Sequence, residues 1–373
     1  MIYLDHMAST PIDPRVIEVY AQAMLRYVAN PNSAIHVAGV EANQAYLEAL
    51  ARIGDLYERE PDQVLLTSGA SSALNVAVAD AVEVAGGRPA RIVYSAAEHP
   101  ALLGAIREAQ EKGDAEAIEL PVDRNAVPDF EVLQRLASRA DLICLMAANN
   151  ELGTITPISA AVEVCQRSGA RLLVDASQAA VWLDPSEFAS VDYLVLSGLK
   201  AYGPRRVGAL LGALHPRTLG AAVRFFGTPD VAGACAMAEA LSLRHELRGV
   251  ASAHVAMLRD RLQRLLFEVV DGLTLTAEGA PRLPGALHIT QSKLPGDAVV
   301  ARLRATVALS TGSACQSGAW GGSHVLQAIG LSDELAEGAL RIGVGLFTTM
   351  DEIEQSSALI AAALHPDGLR SAA

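Results

Sequence analysis

Residues 171–204 read RLLVDASQAAVWLDPSEFASVDYLVLSGLKAYGP. Two apolar runs in this stretch, RLLVDA (171–176) and YLVLSG (193–198), lead directly into polar residues, Asp175 at the end of the first and Lys200 just past the second. Short continuous apolar runs bounded by turn residues mark strands buried on both faces. The pattern recurs on either side of this stretch. QVLLTS (63–68) precedes an Ala-rich helical stretch, RIVYS (91–95) a helix opening at Pro100, and DLICLMA (141–147) the helical AAVEVCQRSG, while VGALLG (207–212) follows. Strands alternating with amphipathic helices predict an α/β domain whose mostly parallel sheet is covered on both sides. In such sheets ligands bind beyond the carboxyl ends of the strands, so the polar residues there are the candidates for chemistry.

Residues 231–270 read as one long helix bridging two domains, with Ala, Leu and Met recurring every three to four positions. Beyond LPGALHIT (283–290) a smaller mixed region follows, with strands expected near 284–290 and 339–344 and helices near 323–330 and 351–363. The expected division is a large domain over 12–250 and a small one built from 1–11 and 251–373, with the tail HPDGLRSAA frayed. A chain of 373 residues, 51% hydrophobic and 19% charged, is neither disordered nor a coiled coil. Its 29 Lys+Arg against 42 Asp+Glu leave a net charge of -13, which disfavours any sequence-independent grip on nucleic acid. Cysteines at 144, 165, 235 and 315 show no CxxC spacing, which argues against a disulfide framework or a zinc site and for a reducing compartment. No apolar stretch approaches the ~18 residues of a membrane span, and the first residues lack a basic region followed by an apolar block. The expectation is a cytoplasmic protein with no membrane association.

Ser68-Gly69-Ala70-Ser71-Ser72 falls where a strand becomes a helix. Free N–H groups at a helix start beside small hydroxyl residues make an anion site, although a plain serine N-cap reads the same way. Asp175 closes an apolar strand with Gln178 three residues on, and a carboxylate there is costly unless a cation or donors face it. Taken alone it serves equally as a helix cap. Lys200 follows a strand in a Gly-bounded loop, as a solvated side chain or as an amine available for a Schiff base. Together, a phosphate cup, an acid for a pyridinium nitrogen and an amine for an aldehyde at the ends of different strands are the parts of a pyridoxal 5'-phosphate (PLP) site.

His99, in SAAEHPALL, is placed to stack on a ring or shuttle protons, or else to cap a helix. Asn150, in AANNELGTITP, either contacts the ring oxygen or stabilises a turn. Cys315, in STGSACQSGAWGGSH, lies outside any apolar pattern among Gly312, Gly318, Gly321 and Gly322, so it is the candidate nucleophile in a loop able to move, or an incidental surface thiol. Cys144 falls in a strand, and Cys165 and Cys235 in helices, where burial is the default. Arg341, inside the apolar ALRIGVG, wants a carboxylate, structural or belonging to a substrate.

These residues match a known pattern. The chain resembles the PLP-dependent cysteine desulfurases of the nitrogen-fixation and housekeeping iron-sulfur type, in YLDHMASTPIDPRV (3–16), NPNSAIH (30–36), TSGASSALN (67–75), EHPA, NNELG, VDASQ, SGLKAYGP, STGSAC and LRIGVGLFTT (340–349). The resemblance spans nearly the whole chain in order and implies the fold-type I architecture, with a large mostly parallel domain and a smaller α+β one. It implies that Lys200 holds PLP, that Asp175 pairs with the ring nitrogen and Gln178 with the ring oxygen, and that His99 stacks on the ring. Ala70, Ser71 and Ser197 would line the phosphate, with Thr228 reaching in from a neighbouring subunit. Asn30, Asn150 and Arg341 would hold the substrate carboxylate. L-cysteine would yield alanine, leaving its sulfur as a persulfide on Cys315 for a protein acceptor, and the enzyme would be a homodimer.

The chain departs from the family pattern in four places. Leu199 stands where the family has a phosphate-binding histidine, Ser71 where it has threonine, and Leu346 where it has arginine. The segment from Lys200 to Thr228 is shortened and lacks a GGGQE-type stretch, keeping only AVRFFGTP. These losses predict a weaker hold on the cofactor phosphate. Two rival readings stand beside the desulfurase: selenocysteine lyase or another PLP-dependent lyase or transferase, and a degenerate member serving as a binding or assembly subunit. Cys315 argues against transamination, which needs no thiol.

Overall fold

The computed structural model describes residues 1–312 and 322–365. Cys315 and the tail beyond His365 lie outside the described residues. Twelve strands are described: β1 (Ile2–Tyr3), β2 (Val64–Thr67), β3 (Ala90–Ser95), β4 (Ala115–Leu120), β5 (Leu142–Met146), β6 (Arg171–Asp175), β7 (Tyr193–Ser197), β8 (Gly208–Leu211), β9 (Thr274–Leu275), β10 (Ala286–Thr290), β11 (Val307–Ala308) and β12 (Leu340–Gly343). The helices are α1 (Pro14–Arg26), α2 (Val37–Leu56), α3 (Ala70–Val84), α4 (Pro100–Glu111), α5 (Phe130–Ala137), α6 (Ile158–Ser168), α7 (Pro216–Phe226), α8 (Val231–Val269), α9 (Gly296–Leu303), α10 (His324–Ala328), α11 (Asp333–Glu337) and α12 (Met350–Leu364).

The main sheet has seven strands in the order β2-β8-β7-β6-β5-β3-β4. Every neighbouring pair is parallel except those of β8, which runs antiparallel to both β2 and β7. In β5 and β7 every residue is buried, as strands covered by helices on both faces must be. The α/β expectation holds, with one reversed strand that the apolar pattern did not reveal.

Helix α8, 39 residues long, serves two cores. Ala234, Met237, Ala238 and Leu241 join the cluster under the main sheet, whereas Val255, Leu258, Leu262 and Leu266 join a second cluster with β10, β12 and α12. A helix whose buried face changes partner along its length carries no single apolar stripe. The N-terminal strand crosses between the same two cores. Ile2 and Leu4 sit in the second cluster and Met7 in the first, so the segment between them lies at the junction. There β1 pairs in parallel with β11, and Asp5 bridges to Gly343. Among the described residues no helix is long and apolar enough to cross a membrane.

Candidate active site

The register of three strands builds one end of the site. Thr67 of β2 and Ser197 of β7 both pair with Gly208 of β8, which places the turn after β2 and the turn after β7 side by side. The first turn continues through Gly69, at φ 128, a conformation that a side chain would strain, into the start of α3 at Ala70. Ala70 and Ser71 occupy its first turn, where backbone N–H groups have no intrahelical acceptor. Ser68 and Ser72 share a hydroxyl hydrogen bond at 2.7 Å on the rim. Gly208 permits this closeness: a Cβ on it would meet Gly69 C at 2.6 Å and Ala70 N at 2.9 Å. The result is a cup of backbone donors suited to a phosphate.

Asp175 ends β6, buried, with its Oδ1 accepting the Ser177 N–H at 2.9 Å. His99 caps α4, its Nδ1 accepting the Ala101 N–H at 3.1 Å. The bland reading of this histidine is therefore realised, and it serves the chemical one. A lone pair committed at Nδ1 puts the proton of the neutral ring on Nε2. Burial lowers the His99 pKa, and the charges of Lys200 and His324 add to that, while Asp175 pulls it up.

Glu98, immediately before His99, is wholly buried. Its Oε1 accepts the Met146 N–H at 2.7 Å, and its Oε2 has no partner among the described residues. Burial pushes its carboxyl well above the usual range and nearby Asp175 pushes it further, against the Met146 hydrogen bond. Glu98 thus places a second buried acid beside Asp175 beneath the site.

Lys200 Nζ donates to the carbonyls of Met7 at 2.5 Å and Ala8 at 2.6 Å. Gln178 Nε2 donates to the same Met7 carbonyl at 2.8 Å. The N-terminal segment thus closes over both residues, and its position at the junction of the two cores places the lysine between them. Thr10 locks the segment by donating from Oγ1 to the Leu199 carbonyl at 2.7 Å.

On the small-core side Arg341 is buried in β12. It donates from Nη2 to Asp5 Oδ1 and from Nη1 to the Asn150 carbonyl, each at 3.1 Å. Its Nε and the Asn150 Oδ1 are buried and have no partner among the described residues. Glu151 follows Asn150, buried, and accepts the Ser323 hydroxyl at Oε2 at 2.5 Å.

The structure gathers Ala70, Ser71, Ser197, His99, Asp175, Gln178 and Lys200 at the carboxyl ends of their strands, with Asn150 in the turn after β5 and Arg341 of β12 hydrogen-bonded to it. Two candidates stand apart. Asn30 lies in the exposed turn between α1 and α2, its Oδ1 accepting the Asn32 N–H at 2.9 Å, and Thr228 is exposed in the link between α7 and α8. Of the remaining cysteines, Cys144 and Cys165 are buried as expected, while Cys235 is only partly so. Sequence reasoning passed over Glu98, Glu151, Gly208 and the Met7 and Ala8 carbonyls. The two glutamates sit inside the quoted EHPA and NNELG, where an acid within an apolar neighbourhood was the available signal.

Residues 2–355 match the aminotransferase class-V family. The chain belongs to that family. Within it, the class-V chain is 33% identical to the cysteine desulfurase IscS of Dechloromonas aromatica, covering 96% of this chain and 91% of that one. It is 32% identical to the mitochondrial cysteine desulfurase of Eremothecium gossypii, covering 95% and 74%. Among solved structures it is similar to a NifS-like protein, with a TM-score of 0.86 and 27% identity over 96% of this chain and 98% of that one. The class-V architecture accounts for the mostly parallel sheet, and the family is generally PLP-dependent. The residues present fit that cofactor: a glycine-walled cup at a helix start, a buried carboxylate and a lysine at adjoining strand ends.

Proposed function

We propose that the chain is a PLP-dependent cysteine desulfurase that converts L-cysteine to L-alanine and retains the sulfur as a persulfide on Cys315. The observation that carries this is the convergence of Lys200, Asp175 and the α3 start on the shared register at Ser197, Gly208 and Thr67. When bound, PLP supplies an electron sink for the carbon that loses its α proton. Lys200 is the amine for the cofactor aldehyde, and the Met7 and Ala8 carbonyls orient its Nζ. Asp175 supplies the anion for the ring nitrogen, and Gln178, with one amide hydrogen on Met7, keeps the other for the ring oxygen. The N–H groups at Ala70 and Ser71, with Ser197, receive the phosphate. His99, fixed through Nδ1, presents Nε2 to the ring face and to the proton in transit.

Arg341 and Asn150 hold the substrate carboxylate, the guanidinium anchored by Asp5 with its Nε left to donate. The Cys315 thiolate then attacks the substrate sulfur. An S–S bond forms as the carbon–sulfur bond breaks, and the carbon takes a proton to become alanine. The exposed Phe225, Val223 and Val37 around Thr228 and Asn30 support a homodimer in which Thr228 completes the partner's phosphate cup. The switch of core partner along α8 between Leu241 and Val255 supports a domain boundary near residue 250. The sulfur leaves for a protein acceptor, and the reaction belongs to a cytoplasmic sulfur-transfer route.

Borohydride reduction followed by peptide mapping tests the assignment, with the adduct expected on Lys200. Incubation with L-cysteine is expected to give alanine and sulfide in equal amounts under reductant. Pyruvate or a transaminated product instead would overturn the desulfurase reading.

A further inference from the structure

One face of the small sheet carries a polar row. Arg341 of β12 lies directly opposite His288 of β10. The pairing of Ile289 with Leu275 continues to His288 and Thr276, whose N–H donates to the His288 carbonyl at 3.0 Å. On the other side of Arg341 stands Ser310, bridged to it in antiparallel fashion. Directly opposed residues project to the same face. Thr276, His288, Arg341 and Ser310 therefore run side by side across the sheet, and all four are buried.

Most polar atoms of the row are accounted for. Ser310 Oγ donates to Asp5 Oδ1 at 3.3 Å, the same oxygen that accepts from Arg341 Nη2 at 3.1 Å. His288 Nδ1 lies 2.9 Å from Thr276 Oγ1. Two buried atoms on neighbouring side chains, Arg341 Nε and His288 Nε2, have no partner among the described residues. Buried polar atoms left single call for a reason. Burial lowers the His288 pKa to about 3, with the charges of Arg341 and Arg282 adding to the effect, so the ring is neutral and carries one proton. A proton on Nε2 would set a donor against the guanidinium. On Nδ1 it serves Thr276 and leaves Nε2 as an acceptor beside the Arg341 Nε–H.

Arg341 donates from its Nη atoms to Asp5 and to the Asn150 carbonyl. A substrate carboxylate arriving at Asn150 draws those Nη atoms toward itself and turns the guanidinium, Nε included. We propose that His288 is a positioning residue for Arg341, accepting its Nε–H as the guanidinium turns to the substrate carboxylate. The bond forms only with a carboxylate in place, so it helps select α-amino acids over simple amines. This deepens the desulfurase reading and rests on it.

The test titrates holoenzyme with L-alanine, L-cysteine and cysteamine, an amine and thiol without a carboxylate. Cofactor absorbance reports binding, and kcat for alanine release is measured alongside. His288→Leu removes the acceptor at similar bulk. It is expected to bind both amino acids about 5- to 100-fold more weakly, the scale of one buried donor left unpaired. Because the bond belongs to carboxylate capture, cysteamine binding should stay within about twofold and kcat at saturating L-cysteine within about threefold. His288→Gln offers an amide oxygen in place of Nε2 and is expected to recover most of the affinity. Thr276→Val frees Nδ1 at nearly constant shape, gives a smaller loss in the same direction, and serves if His288→Leu fails to fold.

Unchanged L-alanine binding in His288→Leu and Thr276→Val overturns the proposal. So does an equal weakening of L-alanine and cysteamine, which is the mark of a merely structural role, or a Gln variant as poor as Leu. Wild type whose cofactor spectrum ignores both amino acids overturns the desulfurase reading and this one with it. Responsive wild type with equally responsive variants overturns this one alone.

Discussion

Replacing Gly208 by alanine tests the cup without touching a charged or hydroxyl residue. The added methyl would lie 2.6 Å from Gly69 C, 2.8 Å from Gly69 Cα and 2.9 Å from Ala70 N, all main-chain atoms of the phosphate turn. These are about 1 Å short of the ~3.5 Å at which carbon atoms rest comfortably, and β8 cannot retreat because β2 and β7 hold it on both sides. The turn must move instead, carrying the first donors of α3 away from the phosphate. Overpacking of this kind costs about 1–3 kcal/mol of folding stability. Loss of one charge-assisted hydrogen bond costs ~1.5–3 kcal/mol of binding, a ten- to hundred-fold weaker hold on PLP. The assay is a titration of apoenzyme with PLP followed by absorbance, alongside thermal unfolding of apo and holo protein. The expectation is a large loss of PLP affinity beside a modest fall in apo stability. A variant that binds PLP as tightly as wild type refutes the cup.

Leu199→His restores a phosphate-binding side chain and is expected to slow loss of PLP on dialysis severalfold; a loss rate equal to wild type means that the vacancy is already filled. Cys315→Ser is expected to bind PLP and show the cysteine-induced spectral change while releasing no alanine, and full activity in it removes the persulfide route. His6 is buried and its pKa is lowered to about 4, chiefly by burial, so unfolding takes up a proton between that value and ~6.5. Stability from this group is present above ~6.5 and lost as the pH falls, by roughly 2 kcal/mol between pH 7 and 5. His6→Asn should therefore flatten the acid limb of urea unfolding by about that amount, and an unchanged pH dependence would sink the assignment.

The strands and the long helix were legible because each is a contiguous apolar pattern of the right length. The direction of β8 was not, since VGALLG reads alike in either sense. Lys200, Asp175 and the 68–72 turn could be read locally, each being a polar residue or a glycine at the end of an apolar run. Glu98 and Glu151 escaped notice because their burial comes from residues far along the chain, His324 and Ser323 among them. The acceptors of Lys200 are peptide carbonyls, which no side-chain pattern can announce. Asn30 and Thr228 came from family resemblance, and within one chain both lie on exposed segments.

The N-terminal segment has a consequence in time. Ile2 pairs with Val307, Asp5 with Gly343, and Lys200 reaches back to Met7. The carbonyls that orient the lysine are therefore made well before the lysine itself, yet their frame closes only when partners about three hundred positions later have been synthesised. Pairings of such sequence separation form late, after local helices and hairpins. A nascent chain can assemble much of the main sheet around Lys200 and still lack a finished site. PLP capture then becomes one of the last events of folding, and the unpaired first strand waits meanwhile as an exposed edge that invites misassociation.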